Sequence, residues 1–175
     1  YADVEAVFAG EERLTSRQLD ELSDRLARGL AARGVGKGDR IGIAMRNCPA
    51  WILSYMAVLK AGAVATLLNG WWQPDELEHA LQLTKAKLIL ADGPRAKRIQ
   101  ATCATCQVET IDISQHCPEA FADLLAAGSA DVALPEVAPD DDATILFTSG
   151  STGEAKGALS THRAVTTGVY AYATA

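Results

Sequence analysis

At 175 residues the chain has the length of one large domain or two small ones. Its 49% hydrophobic and 22% charged residues, with a mean hydropathy of +0.05, exclude a disordered or fibrous polymer. A formal net charge of −6, from 16 basic and 22 acidic side chains, argues against a broad nucleic-acid surface, which needs a clustered basic face. A nucleotide remains open as a ligand, because a small phosphate is held by local amides and one lysine rather than by global charge.

The first element is a helix. Thr15 and Gln18 form a capping box, and Leu19, Leu22, Leu26 and Leu30 recur at helical spacing until Gly34 stops the run. Arg40 to Ala44 reads as a short strand, and Asn47 with Pro49 opens a second helix towards Ala61. Ala63 to Leu68 is the next strand. Pro74 to Leu83 is a helix with Asp75, Glu76 and Glu78 near its positive end. Leu88 to Ala91 is a strand, Arg95 to Ala104 a helix, Val108 to Ile113 a strand and Glu119 to Ala126 a short helix. A polar, proline-punctuated stretch from Gly128 to Asp142 reads as a surface connection, with Asp140 to Asp142 a solvated turn. Ala143 to Phe147 is a strand that feeds into Thr148.

Strands alternating with helices of about 10–15 residues predict an α/β fold, a mainly parallel sheet with helices on both faces. The organisation expected is a core layer over residues 14–127, a connection over 128–142, and a loop-bearing strand with its following helix over 143–175. No internal repeat or low-complexity tract interrupts it.

The most apolar stretch, Trp51 to Leu68, is the one membrane candidate. Lys60 at its centre costs about 2.5–3.5 kcal/mol on insertion, so the stretch reads as a helix followed by a buried strand and no transmembrane segment is expected. Cys48, Cys103, Cys106 and Cys117 read as reduced thiols of a cytoplasmic protein, acting as small buried hydrophobes. Cys103-x-x-Cys106 with His116 and Cys117 offers four candidate ligands, but the spacing matches no usual zinc pattern, and no metal site is expected on them. The absence of an initiator methionine and the charge-free run from Ala164 to Ala175 lead us to expect a piece of a longer protein.

The segment that carries chemistry is Ile145-Leu146-Phe147-Thr148-Ser149-Gly150-Ser151-Thr152-Gly153-Glu154-Ala155-Lys156-Gly157. Its glycines let the backbone curl with amides pointing inward, an arrangement that binds anions. Thr148, Ser149, Ser151 and Thr152 add hydroxyls that can donate to phosphate oxygens, and Lys156 adds a compact positive charge for a polyphosphate tail. A plain Gly/Ser linker would not need a buried-type strand before it and a lysine after it. The standard G-x-x-x-x-G-K-[ST] phosphate loop does not fit either, because Lys156 lies between Ala155 and Gly157.

Residues Thr148 to Gly157 resemble the T-S-G-[ST]-T-G-x-P-K-G signature of the adenylate-forming superfamily, which includes acyl-CoA synthetases, luciferases and peptide-synthetase adenylation domains. Ala155 stands where that family usually has proline, so the backbone before it is less restricted. Leu59-Lys60-Ala61-Gly62-Ala63 followed by Leu68-Asn69 is similar to the family's L-K-A-G-x-x-x-x-P-L-N motif, with Leu67 in place of the proline. Thr161-His162 resembles its [ST]-H-x-N, with Ala164 in place of the asparagine. The resemblance covers nearly the whole chain from Leu14 onward.

The resemblance implies an incomplete N-terminal domain whose parent activates a carboxylic acid with ATP. Thr148, Ser149, Gly150, Ser151, Thr152, Gly153 and Lys156 would grip the β- and γ-phosphates. Magnesium would accompany them, with Thr152 a candidate neighbour. The carboxylate would attack the α-phosphorus to give an acyl-adenylate and pyrophosphate, and coenzyme A would take the acyl group. Phe147 and the Leu68-Asn69-Gly70-Trp71-Trp72 turn resemble fatty-acid ligases more than amino-acid adenylating domains. The alternatives are an amino-acid or aryl-acid adenylating domain, or a non-catalytic scaffold of the same fold. The later family motifs are not in this sequence, so the piece alone is expected to be inactive. His162 is expected to be structural, behind a Thr161 cap; Trp71 and Trp72 read as rim or core packing; His79 carries no expectation.

Overall fold

The computed structural model of the chain describes residues 2–148 and 155–174. It opens on an antiparallel hairpin, Glu5–Ala9 (β1) and Glu12–Thr15 (β2), turning at Gly10 with φ of 60°. Periodicity did not mark this hairpin, because alternation over four or five residues with exposed Glu5 and Phe8 gives no clear period. Thr15 then caps the helix Ser16–Ala32 (α1) as expected: its hydroxyl accepts from the Gln18 amide at 3.2 Å, and Gln18 Oε1 accepts from the Thr15 amide at 2.8 Å. Leu19, Ser23, Leu26, Ala27 and Leu30 form its buried stripe.

The main sheet has five parallel strands, and those covered on both faces are apolar over most of their length. The five are Arg40–Ala44 (β3), Val64–Leu67 (β4), Leu88–Asp92 (β5), Val108–Ile111 (β6) and Asp142–Thr148 (β7). Lys156–Thr161 (β8) joins them antiparallel to β7, giving the order β6-β5-β3-β4-β7-β8. The intervening helices are Pro49–Lys60 (α2), Pro74–Thr84 (α3), Gly93–Thr102 (α4), Cys117–Ala120 (α5) and Ala122–Ala127 (α6).

Two hydrophobic layers flank the sheet. One joins α1, α2, α5 and α6 through Leu26, Leu30, Leu53, Val58, Phe121 and Leu124; the other joins α3 and α4 through Leu77, Leu81, Ala96 and Ile99. The α/β layering read from the sequence is therefore present. Close approach of α1 to α6 depends on Gly29 and Gly128, since a Cβ on Gly29 would stand 2.0 Å from the Leu124 carbonyl oxygen and one on Gly128 2.1 Å from that of Arg25.

Several boundaries differ from expectation for local reasons. The second helix is preceded by Cys48, with no side-chain cap from Asn47. Helix α4 starts at Gly93 because Asp92, not a later residue, caps it by accepting from the Arg95 amide at 3.2 Å. The single helix expected over Glu119 to Ala126 is broken at Phe121, whose ψ of 19° at φ of −114° leaves the helical region. Lys60 ends α2 and binds Asp20 and Asp24 of α1, both at 2.6 Å, which places the lysine of the apolar stretch on an ion pair. Among the described residues no helix is long and apolar enough to cross a membrane.

The expectation of four reduced, buried thiols is corrected. Cys103 and Cys106 are disulfide-bonded: the turn that ends α4 brings their Cα atoms to 5.5 Å, within the span of a disulfide. Neither is among the buried core residues. Cys117 is buried as expected and Cys48 is half-buried.

Candidate phosphate-binding edge

In an open parallel sheet, ligands are met at the carboxyl ends of the strands, near the point where the strand order reverses. Here the chain runs from β3 to β4 in one direction and then returns past β3 to β5, so the reversal lies between β3 and β5, with β4 and β7 on one side of it. Strand β7 pairs with β4, and its carboxyl end, Thr148, opens onto this edge.

The segment that carries the expected chemistry is the connection of a hairpin. Thr148 and Lys156 are register partners across the β7–β8 ladder, and Phe147 faces Gly157. Both outer residues of the expected grip are thus brought together. Ser149, Gly150, Ser151, Thr152 and Gly153 lie outside the described residues. Gly157 lets the ladder sit close, since a Cβ there would stand 3.0 Å from Ile145 Cγ2. The sequence did not announce β8, because Lys156-Gly157-Ala158-Leu159-Ser160-Thr161 has little β-branched or aromatic content and gains its strand state from pairing with β7.

Beside the hairpin lies a cleft of about 650 Å³ between the β4 turn and β7, with Trp51, Trp71, Trp72, Phe147 and Thr148 among its walls. Trp72 is buried and meets the Phe147 ring edge-on, at 4.9 Å between centroids and 89° between planes, whereas Trp71 is 81% exposed. The two tryptophans therefore divide the roles read for them, one core and one rim. They follow the strand in a turn that α4 holds. Arg98 donates to the carbonyls of Gly70 and Trp72 at 2.9 and 3.3 Å. Arg95 stacks so tightly that a Cβ on Gly70 would stand 2.1 Å from its Nε. Arg95 is itself fixed by a 2.6 Å ion pair with the buried carboxylate of Asp92, which also accepts from the Arg46 amide at 3.1 Å.

On the loop's other flank, His79 of α3 hydrogen-bonds the Ala155 carbonyl at 3.2 Å. Sequence reasoning passed over His79. Its contact is 76 residues distant, and a single histidine on a helix gives no local signal.

After β8 comes the helix His162–Ala173 (α7), capped by the Thr161 hydroxyl, which accepts from the Ala164 amide at 3.2 Å. His162 donates its own amide to the Asp141 carbonyl at 3.1 Å. The acidic turn is exposed yet paired. Asp140 receives Arg163 through two hydrogen bonds of 2.7 and 2.9 Å, and Lys37 reaches Asp141 at 2.6 Å. Those partners, with the Ala138 amide on Asp141, hold both carboxyls below their ordinary range.

The sequence pattern of the AMP-binding enzyme family matches residues 1–175. The medium/long-chain-fatty-acid–CoA ligase FadD6 of Mycobacterium tuberculosis is 35% identical over 169 residues, covering 93% of this chain and 27% of that protein. The phosphinothricin tripeptide synthetase PhsC of Streptomyces viridochromogenes is 37% identical over 165 residues, covering 94% of this chain and 14% of that one. Apo MatB from Rhodopseudomonas palustris superposes with a TM-score of 0.81 at 27% identity, over 95% of this chain and 33% of that one; its ATP-bound form gives 0.75 at 29% identity, over 88% and 31%. The chain thus spans about a third or less of the proteins it matches here. With the family pattern running over its whole length, on a fold shared with those structures, the chain belongs to the AMP-binding enzyme family.

Proposed function

We propose that the chain supplies the phosphate-gripping edge of an enzyme that activates a carboxylic acid with ATP and passes the acyl group to coenzyme A. The observation that carries this reading is the pairing of Thr148 with Lys156 at the carboxyl edge of the sheet, closing a glycine- and hydroxyl-rich connection between them. A carboxylate oxygen forms a bond to the α-phosphorus as the bond to the β-phosphate bridging oxygen breaks, and pyrophosphate departs with that electron pair. Lys156 neutralises the charge growing on the leaving group, and the Thr148 hydroxyl, with the intervening amides, orients it. Ser149, Gly150, Ser151, Thr152 and Gly153 are assigned to the same grip by the family motif.

Magnesium suits this edge. It takes hard oxygen ligands, keeps several waters and rides largely on substrate phosphates, and the hydroxyls of Thr148 and Thr152 are donors of that type. When bound it would supply further neutralisation of the phosphate charge. Coenzyme A enters as the thiol that accepts the acyl group.

For the acid we favour a fatty acid. The cleft beside the hairpin is walled by Trp51, Leu67, Leu68, Trp72, Leu146 and Phe147, and FadD6 bears the name of a medium/long-chain-fatty-acid ligase. Amino-acid or aryl-acid activation is the second reading, favoured by the 37% identity to a tripeptide synthetase. A panel of fatty, aryl and amino acids in ATP–pyrophosphate exchange separates them.

The test of the reading as a whole is Lys156→Ala in the enzyme that carries this chain at the length of its relatives. Loss of one charge-assisted contact to phosphate should raise KM for ATP about tenfold or more. Unchanged ATP kinetics would remove the loop from the mechanism and favour a non-catalytic scaffold. The 175-residue chain alone should give no exchange, and measurable exchange by it would contradict the assignment of the remaining machinery to further sequence.

A further inference from the structure

Strand β8, which presents Lys156, is restrained by its ladder with β7, and the helices that meet it among the described residues include α3 and α7. Helix α3 is firmly seated. Gln73 and Glu76 form a capping box at its start, Leu77, Ala80 and Leu81 are buried in the core, and Thr84 donates to the Ala80 carbonyl at 2.7 Å. The face of α3 turned towards β8 carries His79 and, one turn on, Leu83. His79 Nε2 lies 3.2 Å from the carbonyl oxygen of Ala155, and Leu83 Cδ2 lies 3.9 Å from where a Cβ on Gly157 would be. The two contacts fall on residues 155 and 157, either side of Lys156.

The chemistry of the His79 contact is one-way. A carbonyl oxygen only accepts, so Nε2 carries the proton and donates. The bond also falls where the backbone most needs a restraint. Ala155 has no ring to fix φ, and it places no steric limit on the residue before it.

We infer that His79 is a positioning residue for the phosphate loop: its Nε2–H, donated to the Ala155 carbonyl, fastens the end of the loop to α3 and sets the point from which Lys156 reaches the nucleotide. This rests on the reading of Thr148–Lys156 as a triphosphate grip. His79 touches no reacting atom. It acts by narrowing the positions that the peptide before Lys156 can take, which lowers the ordering cost of nucleotide binding.

The experiment is steady-state kinetics of the enzyme at full relative length, with His79→Phe, His79→Gln, the double variant His79→Phe/Ala155→Pro, and Lys156→Ala as reference. Phenylalanine keeps a ring but has no donor; glutamine keeps an N–H at similar reach. His79→Phe should raise KM for ATP about two- to tenfold, the range of one neutral hydrogen bond, while KM for the acid stays within about twofold. His79→Gln should keep most of the ATP affinity, and Ala155→Pro should restore it in the His79→Phe background by supplying the restraint covalently. An unchanged KM for ATP in His79→Phe overturns the inference. So does a parallel rise in both KM values that neither glutamine nor proline relieves, since that marks packing alone. If Lys156→Ala leaves ATP use unchanged, the grip itself is wrong and the role of His79 falls with it. If Lys156→Ala is damaging and His79→Phe is silent, only the positioning role fails.

Discussion

Thr148 and Lys156 stand opposite each other on β7 and β8 although residues 149–155 separate them in the chain. Partners on an antiparallel ladder hold their Cα atoms about 5 Å apart, so the mouth of the connection is narrow and fixed by backbone hydrogen bonds. A hydroxyl and an ammonium are thereby delivered to one spot at the carboxyl edge of the sheet.

Gly29→Ala should destabilise the fold even though alanine is the better helix former. Propensity favours the change by about 1 kcal/mol. The added methyl would meet the Leu124 carbonyl oxygen at 2.0 Å, and a backbone atom cannot rotate away. A net loss of about 1–3 kcal/mol in urea denaturation is expected, and a gain would show that α1 and α6 separate freely.

Asp92→Ala should cost about 3 kcal/mol or more, since it leaves the Arg95 guanidinium, only 17% exposed, without its carboxylate and removes the cap of α4. Because Arg95 packs against Gly70, the effect should also reach the cleft. Tryptophan fluorescence of the native state, through Trp72, should change in this variant before unfolding begins.

The acid limb of stability should depend on Asp39. Burial pushes its carboxyl up, but the Lys87 ammonium at 2.6 Å and the Gly36 amide at 2.8 Å outweigh that and hold it below its ordinary value. A group ionised more readily in the folded state contributes stability above its unfolded pKa and loses that contribution as pH falls through the folded pKa. Asp39→Asn should therefore lower stability near neutrality and flatten its decline below about pH 4. An unaltered acid limb would show that the Lys87 contact does not persist in solution.

Thiol chemistry should separate the cysteines. Desolvation by burial, with the Glu12 carboxylate nearby, raises the Cys117 thiol far above its ordinary value, and burial raises Cys48 as well. At pH 7 an alkylating reagent should leave Cys117 unmodified until the chain is unfolded. Cys103 and Cys106 should become reactive only after a reductant is added. Labelling of either without reductant would contradict the bond.

The elements legible in the sequence were those whose signals are local. The Thr15–Gln18 box, the leucine stripe of α1, Pro49 and Pro74 at helix starts, and the apolar runs of β3, β4 and β5 each state their role within a few residues. Features that depend on a distant partner, or whose local pattern is too short to give a signal, were not legible. Strand β8 exists because β7 offers it a ladder, the hairpin β1–β2 is too short and exposed to show a period, and Cys103 meets Cys106 only because α4 ends where it does. The same division holds at the candidate site. The composition of the phosphate loop marks it at once, while His79, whose partner lies 76 residues away, leaves no trace in its own neighbourhood.

The most direct measurement is a crystal structure of the enzyme at full relative length soaked with ATP and magnesium. The triphosphate should lie within about 3 Å of the Thr148 hydroxyl and the Lys156 ammonium at the carboxyl end of β7. A nucleotide whose phosphates rest away from this hairpin would contradict the assignment of its function, while the sheet and its helices would stand.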